Sequence, residues 1–254
     1  MDLAITTRRL DWPDCRNTRD LGGLPARGGV TRSGVLIRSD NVASLTPAGR
    51  QAMIDYGVTT VIDLRAESER LGSPGPPFSN FQSTSPGKPA TDANGPVNLH
   101  LALVDDQTMP ILNNEAATMP DLYRLMLDRC QSALGAIFNA IAEADGPILF
   151  HCFAGKDRTG LVAAMLLSLA GVDPEAIGAD YAETDAQLAT RYVEWLAEAA
   201  PERLESMRND MRCPPAWMLG TLEYAEETWG GLESYLEAAG VAPGNIDRLT
   251  TRLT

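Results

Sequence analysis

Cys152 and Arg158 stand six residues apart in the stretch from His151 to Gly160, which reads HCFAGKDRTG. A thiolate is a strong nucleophile, and a guanidinium offers two parallel N–H donors to phosphoryl oxygens. The apolar run PILFHC (147–152) precedes this loop, and the apolar run LVAAMLLSLAG (161–171) follows it. The pattern therefore predicts a buried strand, an anion-binding loop that carries a thiol nucleophile, and a helix.

The backbone of this loop is suited to surround a dianion. A helix N-terminus offers unpaired amide donors and a partial positive charge, and Gly155 permits a tight curl of the chain. The helix terminus and Arg158 both favour the thiolate form of Cys152, which is the form that attacks phosphorus. The predicted phosphate-binding residues are Phe153, Ala154, Gly155, Lys156, Asp157 and Arg158.

Two polar residues flank the loop. His151 is predicted to orient the loop rather than to act as a base, and Thr159 can offer its hydroxyl to the departing thiolate. The plainer alternative is a buried strand cysteine followed by an unrelated basic turn. A nucleotide-binding loop is excluded, because Lys156 is followed by Asp157 instead of Ser or Thr and no glycine lies five residues upstream.

A phosphoryl-transfer site also needs a proton donor for the leaving group. Asp106, with its neighbour Asp105, ends the apolar run 97–106 and is the first candidate. Asp157 is the second candidate, because it lies in the loop itself, and the choice between Asp106 and Asp157 stays open. Arg19 and Asp20 could support the loop as ion-pair partners, although a salt bridge that stabilises a turn is the plainer interpretation.

Composition and charge exclude other classes. The 254 residues carry a net charge of −13, which argues against general nucleic-acid binding. The four cysteines form no CxxC pair and only two histidines are present, so no zinc-ligand spacing appears. No run is long and apolar enough to span a membrane, and no leader pattern opens the sequence, so the default expectation is a cytoplasmic protein, with leaderless secretion left open. The oligomeric state is not predicted.

The apolar periodicity predicts an α/β fold in a single domain, 1–254. Thr46 and Pro47 predict a helix start, and Gly57 its end. Residues 71–96 predict an irregular surface loop, and 107–130 are a candidate lid. Strands are predicted at 34–40, 60–65, 97–106 and 147–152, and helices at 120–144, at 161–171, from Asp173–Pro174, and through the C-terminal part.

HCFAGKDRTG matches the HCxxGxxR[ST]G signature of the protein tyrosine phosphatase superfamily. The wider chain resembles its atypical bacterial family, which includes lipid-directed members. Further motifs that carry this resemblance are NTRDLGG (17–23), IRSDNVASLTPAG (37–49), TVIDLR with Glu69 shortly after, and WGGLESYLEAAGV (229–241).

The resemblance implies a central mixed sheet flanked by helices and two-step hydrolysis through a phosphocysteine on Cys152, without metal or cofactor. It implies phosphotyrosine proteins or phosphoinositides as partners, since Lys156 and Asp157 resemble loop positions of lipid-directed relatives. The letters of the WPD loop of other tyrosine phosphatases occur here as Trp12-Pro13-Asp14, too near the N-terminus for that role.

The leading hypothesis is thus a cysteine-dependent phosphatase acting on protein phosphotyrosine. Three alternatives stay open: a phosphoinositide or dual-specificity phosphatase, a phosphate-binding module without turnover, and a sulfur-transfer enzyme that uses the same loop cysteine.

Overall fold

The computed structural model describes residues 8–71 and 95–254. A central five-stranded sheet and a two-stranded ribbon are built from β1 (Arg19–Asp20), β2 (Pro25–Ala26), β3 (Gly29–Val30), β4 (Leu36–Ser39), β5 (Thr60–Asp63), β6 (Val97–His100) and β7 (Ile148–His151). The order in the large sheet is β1-β4-β7-β5-β6, and only β1 runs antiparallel to its neighbour. The predicted mixed central sheet is confirmed.

The register brings three strand ends together. Ser39 of β4 and Asp63 of β5 both pair with His151 of β7. Because these strands are parallel, their carboxyl ends meet at one edge of the sheet, where α/β proteins place their ligand sites. Cys152 therefore emerges at the middle of this edge.

Helices surround the sheet and form the whole C-terminal part, as predicted. Those of the described residues are α1 (Pro47–Asp55), α2 (Glu67–Leu71), α3 (Thr108–Glu115), α4 (Met119–Arg129), α5 (Gln131–Glu143), α6 (Asp157–Leu169), α7 (Pro174–Glu198), α8 (Leu204–Asp210), α9 (Pro215–Trp229), α10 (Leu232–Ala238) and α11 (Pro243–Arg252). Two short 3-10 segments lie at Val42–Ser44 and Pro201–Arg203.

The predicted start and end of α1 are confirmed. The Thr46 side chain accepts a hydrogen bond from the Gly49 amide, and Gly57 has a φ of +94° beyond the last turn. Asp173 caps α7 in the same way, through the Glu175 amide. Such caps satisfy amide donors that have no partner within the helix.

Two predicted elements differ from the structure. The strand predicted at 97–106 ends at His100. Asp105 instead accepts hydrogen bonds from the amides of Gln107 (3.1 Å) and Thr108 (2.7 Å) at the start of α3. The helix predicted at 120–144 is two helices, because the backbone leaves helical geometry at Cys130 (φ −111°, ψ 23°). Apolar spacing continues across both breaks, which is why periodicity did not reveal them.

The sheet is covered on both faces. All residues of β7 and all from 161 to 167 on α6 are buried. Ile148 and Phe150 of β7 belong to the larger core with α5 and α6, whereas Leu149 faces the other side. A smaller core on the other face contains Trp12, whose ring meets Tyr56 edge-on at 5.9 Å. Burying a large apolar side chain contributes about 2 kcal/mol. Trp12 therefore has a packing role, and Asp14 beside it is exposed.

The predicted loop at 71–96 falls almost wholly outside the described residues. The candidate lid at 107–130 is α3 followed by α4, which pack against each other. In residues 8–71 and 95–254, the search for a helix of the length and apolarity needed to cross a bilayer finds none.

Candidate active site

The loop from His151 to Gly160, called the 151–160 loop below, joins β7 to α6. Cys152 is 2% exposed, at the start of this loop. Gly155 has a φ of +68°, and a Cβ there would come within 2.6 Å of the Ser39 carbonyl oxygen. Only glycine fits this close approach to β4 without displacing its backbone.

Four successive carbonyl oxygens of the loop accept hydrogen bonds from outside its curve. A trans peptide unit is planar, with its C=O and N–H pointing in opposite directions. Fixing these carbonyls therefore aims the amides of residues 153–156 the other way, toward the centre of the loop. The acceptor and donor pairs are Cys152 with His151 Nδ1 (3.1 Å), Phe153 with Asn41 N (3.1 Å), Ala154 with Asn17 Nδ2 (2.9 Å) and Gly155 with Arg38 Nη2 (2.7 Å).

Arg158 lies in the first turn of α6 and is held by Glu69 of α2. Its Nη1 and Nη2 donate to the two carboxylate oxygens at 2.5 and 2.7 Å. Burial alone acts to lower the pKa of Arg158, but the Glu69 hydrogen bonds and the nearby Cys152 outweigh it, and the pKa is raised. The guanidinium is thus permanently charged and fixed in one orientation. Sequence reasoning did not assign Glu69 a site role, although its place after TVIDLR was a usable signal.

Lys156 points away from solvent. Its Nζ lies 2.7 Å from Asp157 Oδ1, and it stands over the rings of Tyr123 (6.0 Å) and Trp217 (5.8 Å). Lys156 as a whole is 3% exposed. Its amide belongs to the loop, but its ammonium is occupied by a carboxylate and two rings.

Asp157 is the first residue of α6, and its side chain is 29% exposed. Its Oδ1 accepts from Lys156 Nζ and from Tyr123 Oη at 2.6 Å, and Tyr123 Oη is also 2.6 Å from Tyr181 Oη. Burial alone acts to raise the pKa of Asp157, but Lys156, the Tyr123 hydroxyl and Arg158 together lower it. One oxygen is thus held by two donors, which fixes the direction of the other.

Asp106 is held by α2 rather than by the 151–160 loop. It is exposed, and within the described part of the chain its hydrogen bonds go to the amide (3.1 Å) and hydroxyl of Ser68. It lines a cleft with Ser68 and Glu69. Asp105 is likewise exposed, and its hydrogen bonds to the first amides of α3 lower its pKa. Neither carboxylate has a hydrogen bond to the loop among the described residues.

His151 and Thr159 lie near the two ends of the 151–160 loop. His151 is 1% exposed, and burial lowers its pKa although Asp63 lies 3.8 Å from Nε2. Because the Cys152 carbonyl can only accept, Nδ1 of His151 is the donor. The Thr159 hydroxyl is buried and finds no hydrogen-bond partner within residues 8–71 and 95–254.

Arg19 and Asp20 have different surroundings. Asp20 accepts from the amides of Gly22 (2.6 Å) and Gly34 (2.5 Å) and from the Tyr56 hydroxyl, so it stabilises a turn. Arg19 donates to Asn17 Oδ1 at 2.5 Å and to Asp180 Oδ1 at 3.1 Å. Asp180 is 2% exposed on α7. Sequence reasoning missed it, since nothing local distinguishes it from the other acidic residues of that helix.

Phe153 forms an exposed aromatic surface beside Cys152. It is 46% exposed, and its ring stacks on Trp195 of α7 with the centroids 5.8 Å apart. A depression lies on each side of this pair, one lined by Arg191 and the other by Arg203.

All four cysteines are free and buried.

A family model described as the tyrosine phosphatase family matches residues 10–254. The chain belongs to this family. The resemblance seen in its sequence is confirmed, and so is the prediction of a cysteine-dependent phosphomonoesterase. The match includes both the 151–160 loop and the helical C-terminal part.

Curated relatives cover nearly the whole of this phosphatase chain. The "Triple specificity protein phosphatase PtpB" of Mycobacterium tuberculosis is 30% identical over 93% of this chain and 96% of its own length. A "Tyrosine-protein phosphatase" of Nostoc commune is 28% identical over 91% of this chain and 80% of its own length. Among solved structures, the "Crystal structure of P. aeruginosa TpbA" matches 74% of this chain and 87% of that chain at 16% identity, with a TM-score of 0.28, too low to bear on fold or site.

Proposed function

We propose that this phosphatase hydrolyses protein phosphotyrosine through a phosphocysteine on Cys152. The observation that carries the assignment is the set of four hydrogen-bonded carbonyls beside the buried Cys152, which aims successive amides at one point. Together with Arg158 they offer donors to the three non-bridging oxygens of a phosphoryl group, whose charge they stabilise in the transition state.

In the first step the Cys152 sulfur attacks phosphorus, a P–S bond forms, and the P–O bond to the tyrosine oxygen breaks. The leaving oxygen takes a proton from an aspartic acid. In the second step water attacks phosphorus, the aspartate takes a proton from that water, the P–S bond breaks, and inorganic phosphate leaves. The Thr159 hydroxyl, which is buried without a partner in the described residues, then donates to the returning thiolate.

Asp157 is the proposed proton donor. Lys156 and Tyr123 hold its Oδ1, which leaves Oδ2 for the leaving oxygen at the mouth of the loop. Asp106, the first candidate from sequence, is bound to Ser68 on α2. Binding of a phosphate dianion nearby raises the tendency of Asp157 to take up a proton, which offsets the lowering effect of Lys156.

Asp157→Asn is expected to lower kcat on a phosphotyrosine peptide by about 10²-fold or more, the scale of general acid catalysis, and to remove the basic limb of the pH profile. The effect should be much smaller on an aryl phosphate with an acidic leaving group, because that group needs no proton. Asp106→Asn is the matched control and should keep the wild-type profile. A lost basic limb in Asp106→Asn with an intact limb in Asp157→Asn would reverse the assignment.

The substrate follows from the surface around Cys152. The stacked pair of Phe153 and Trp195 offers an aromatic face to the ring of a phosphotyrosine. The relatives' names extend from tyrosine to triple specificity, so phosphoserine and phosphothreonine are proposed as weaker substrates. The Lys156 ammonium is engaged by Asp157, which disfavours its use on a second phosphate of a phosphoinositide.

Phe153→Ala is expected to raise KM for a phosphotyrosine peptide about 2- to 10-fold, since aromatic pairs contribute about 0.5–1.5 kcal/mol. The value of kcat and the KM for a phosphoserine peptide should change little, because the amide of residue 153 remains. Val193→Ala is the control, as Val193 is 69% exposed on the same helix as Trp195. Equal losses on both peptides would exclude ring recognition by Phe153.

The remaining alternatives are separated by product analysis of the wild-type protein. Release of inorganic phosphate from a phosphotyrosine peptide, inhibited by vanadate, supports the proposal. Tight peptide binding without release would instead indicate a phosphate-binding module, and thiosulfate turnover without phosphatase activity would indicate sulfur transfer.

A further inference from the structure

We infer that Asp180 of α7 is a positioning residue for the 151–160 loop, acting through two arginines that reach the outer carbonyls of that loop. The inference rests on the proposed function, since it concerns the anion-binding shape of the same loop. Asp180 touches no substrate and no reacting atom.

The first connection runs from Asp180 through Arg19 and Asn17. Arg19 Nε donates to Asp180 Oδ1 at 3.1 Å, and its Nη2 donates to the Asp180 carbonyl at 2.6 Å. Arg19 Nη1 donates to Asn17 Oδ1 at 2.5 Å, and Asn17 Nδ2 donates to the Ala154 carbonyl at 2.9 Å. The side-chain amide of Asn17 is thus hydrogen-bonded through both its oxygen and its nitrogen, which fixes its orientation.

The second connection is shorter. Arg38 Nη1 donates to Asp180 Oδ2 at 2.7 Å, and Arg38 Nη2 donates to the Gly155 carbonyl at 2.7 Å. One carboxylate therefore governs the donors to two successive carbonyls. Through the planar peptide units, those carbonyls set the direction of the amides of Gly155 and Lys156.

The cluster formed by Asp180, Arg19 and Arg38 is buried and charged. Arg19 and Arg38 are both 0% exposed, so bulk water cannot take the place of Asp180 as a hydrogen-bond acceptor for either guanidinium. Burial acts to raise the pKa of Asp180, but Arg19, Arg38 and the nearby Arg8 hold it well below its usual range. The carboxylate is therefore ionised throughout the working pH range, and losing it would remove the carboxylate that pairs with both buried guanidinium groups.

The alternative is that Asp180 only stabilises the packing of α7 against the sheet, through the same contacts and without an effect on the loop. The two roles are distinguished by whether a neutral substitution of Asp180 changes the affinity for phosphate or only the thermal stability. Glu183, also on α7, provides the matched control, because its Oε2 lies 2.8 Å from Arg8 Nη2 and 3.8 Å from Arg19 Nε. It shares the arginines of the cluster but accepts no hydrogen bond from Arg38 or Asn17 among the described residues.

The experiment titrates inorganic phosphate by calorimetry into full-length protein carrying Cys152→Ser, so that no turnover intervenes. Adding Asp180→Asn is expected to weaken phosphate binding about tenfold, and adding Asn17→Ala is expected to weaken it in the same direction. Adding Glu183→Gln should leave the Kd unchanged. Melting temperatures of all three variants are recorded beside the Kd values.

If the proteins with added Asp180→Asn and Asn17→Ala bind phosphate as tightly as the Cys152→Ser protein alone, whatever their melting temperatures, the inference is overturned. Equal weakening in Glu183→Gln does so too. If Asp180→Asn does not fold, Asn17→Ala decides alone. Failure of the proposed function is a separate result, seen as absence of phosphate release by the protein with Cys152 intact, whereas the titration measures the loop's shape without catalysis.

Discussion

Cys152→Ser is expected to reduce hydrolysis of p-nitrophenyl phosphate by at least about 10⁴-fold, the scale seen when a covalent nucleophile is removed. His151 is not placed to activate a serine hydroxyl here, because its Nδ1 donates to the Cys152 carbonyl and its Nε2 lies 3.8 Å from Asp63. Phosphate binding should persist, since the loop amides and Arg158 are unchanged. Steady-state kinetics and a phosphate titration measure the two effects.

The control for this substitution is Cys130→Ser, at a thiol that is buried but lies at the α4–α5 junction. Burial raises the pKa of Cys130 to about 11, so that thiol is neutral at working pH. Its replacement should leave the rate within about twofold. Comparable losses in both variants, or more than a hundredth of the activity left in Cys152→Ser, would contradict the assignment of the nucleophile.

Arg158→Lys is expected to lower kcat/KM by about 10³-fold, because the loss of a fixed donor to developing charge has a cost of this order. Lysine keeps the charge but cannot donate two parallel N–H groups, neither to the phosphoryl oxygens nor to Glu69. The variant also loses one of the two hydrogen bonds that Arg158 donates to Glu69, so a lower melting temperature is expected beside the kinetic effect.

Arg129→Lys is a matched control, because Arg129 also pairs with a glutamate, Glu115, at 2.9 Å. That pair is exposed, and surface ion pairs contribute little, about 0–1 kcal/mol. The control should keep both rate and stability. If Arg158→Lys were as active as Arg129→Lys, a bidentate role of Arg158 in catalysis would be excluded.

Much of the fold follows from local patterns. The stretch PILFHC and the run after Gly160 showed a buried strand and a helix, because continuous apolar residues are needed where both faces of an element are covered. The caps at Thr46 and Asp173 are equally local, since a cap involves a side chain and amides only a few residues away. The 151–160 loop was predictable for the same reason.

The partners of the loop were not predictable in this way. Arg158 meets Glu69 across 89 residues of sequence, and Arg19 meets Asp180 across 161. Such pairs have no periodicity, and only the tertiary packing of helices and strands brings them together. The proton donor shows the same limit, because the ranking of Asp106 relied on a strand through 97–106 that ends at His100.

The dependence of the loop on Asp180 has a consequence for synthesis on the ribosome. Cys152 leaves the ribosome before Asp180 does, so for a time the nascent chain carries the thiol without the carboxylate that anchors Arg19 and Arg38. Contacts of such large sequence separation form late in folding. The 151–160 loop therefore takes its full anion-binding shape only when α7 packs against the sheet. A nascent chain that stops before that point carries Cys152 without a formed phosphate-binding loop around it.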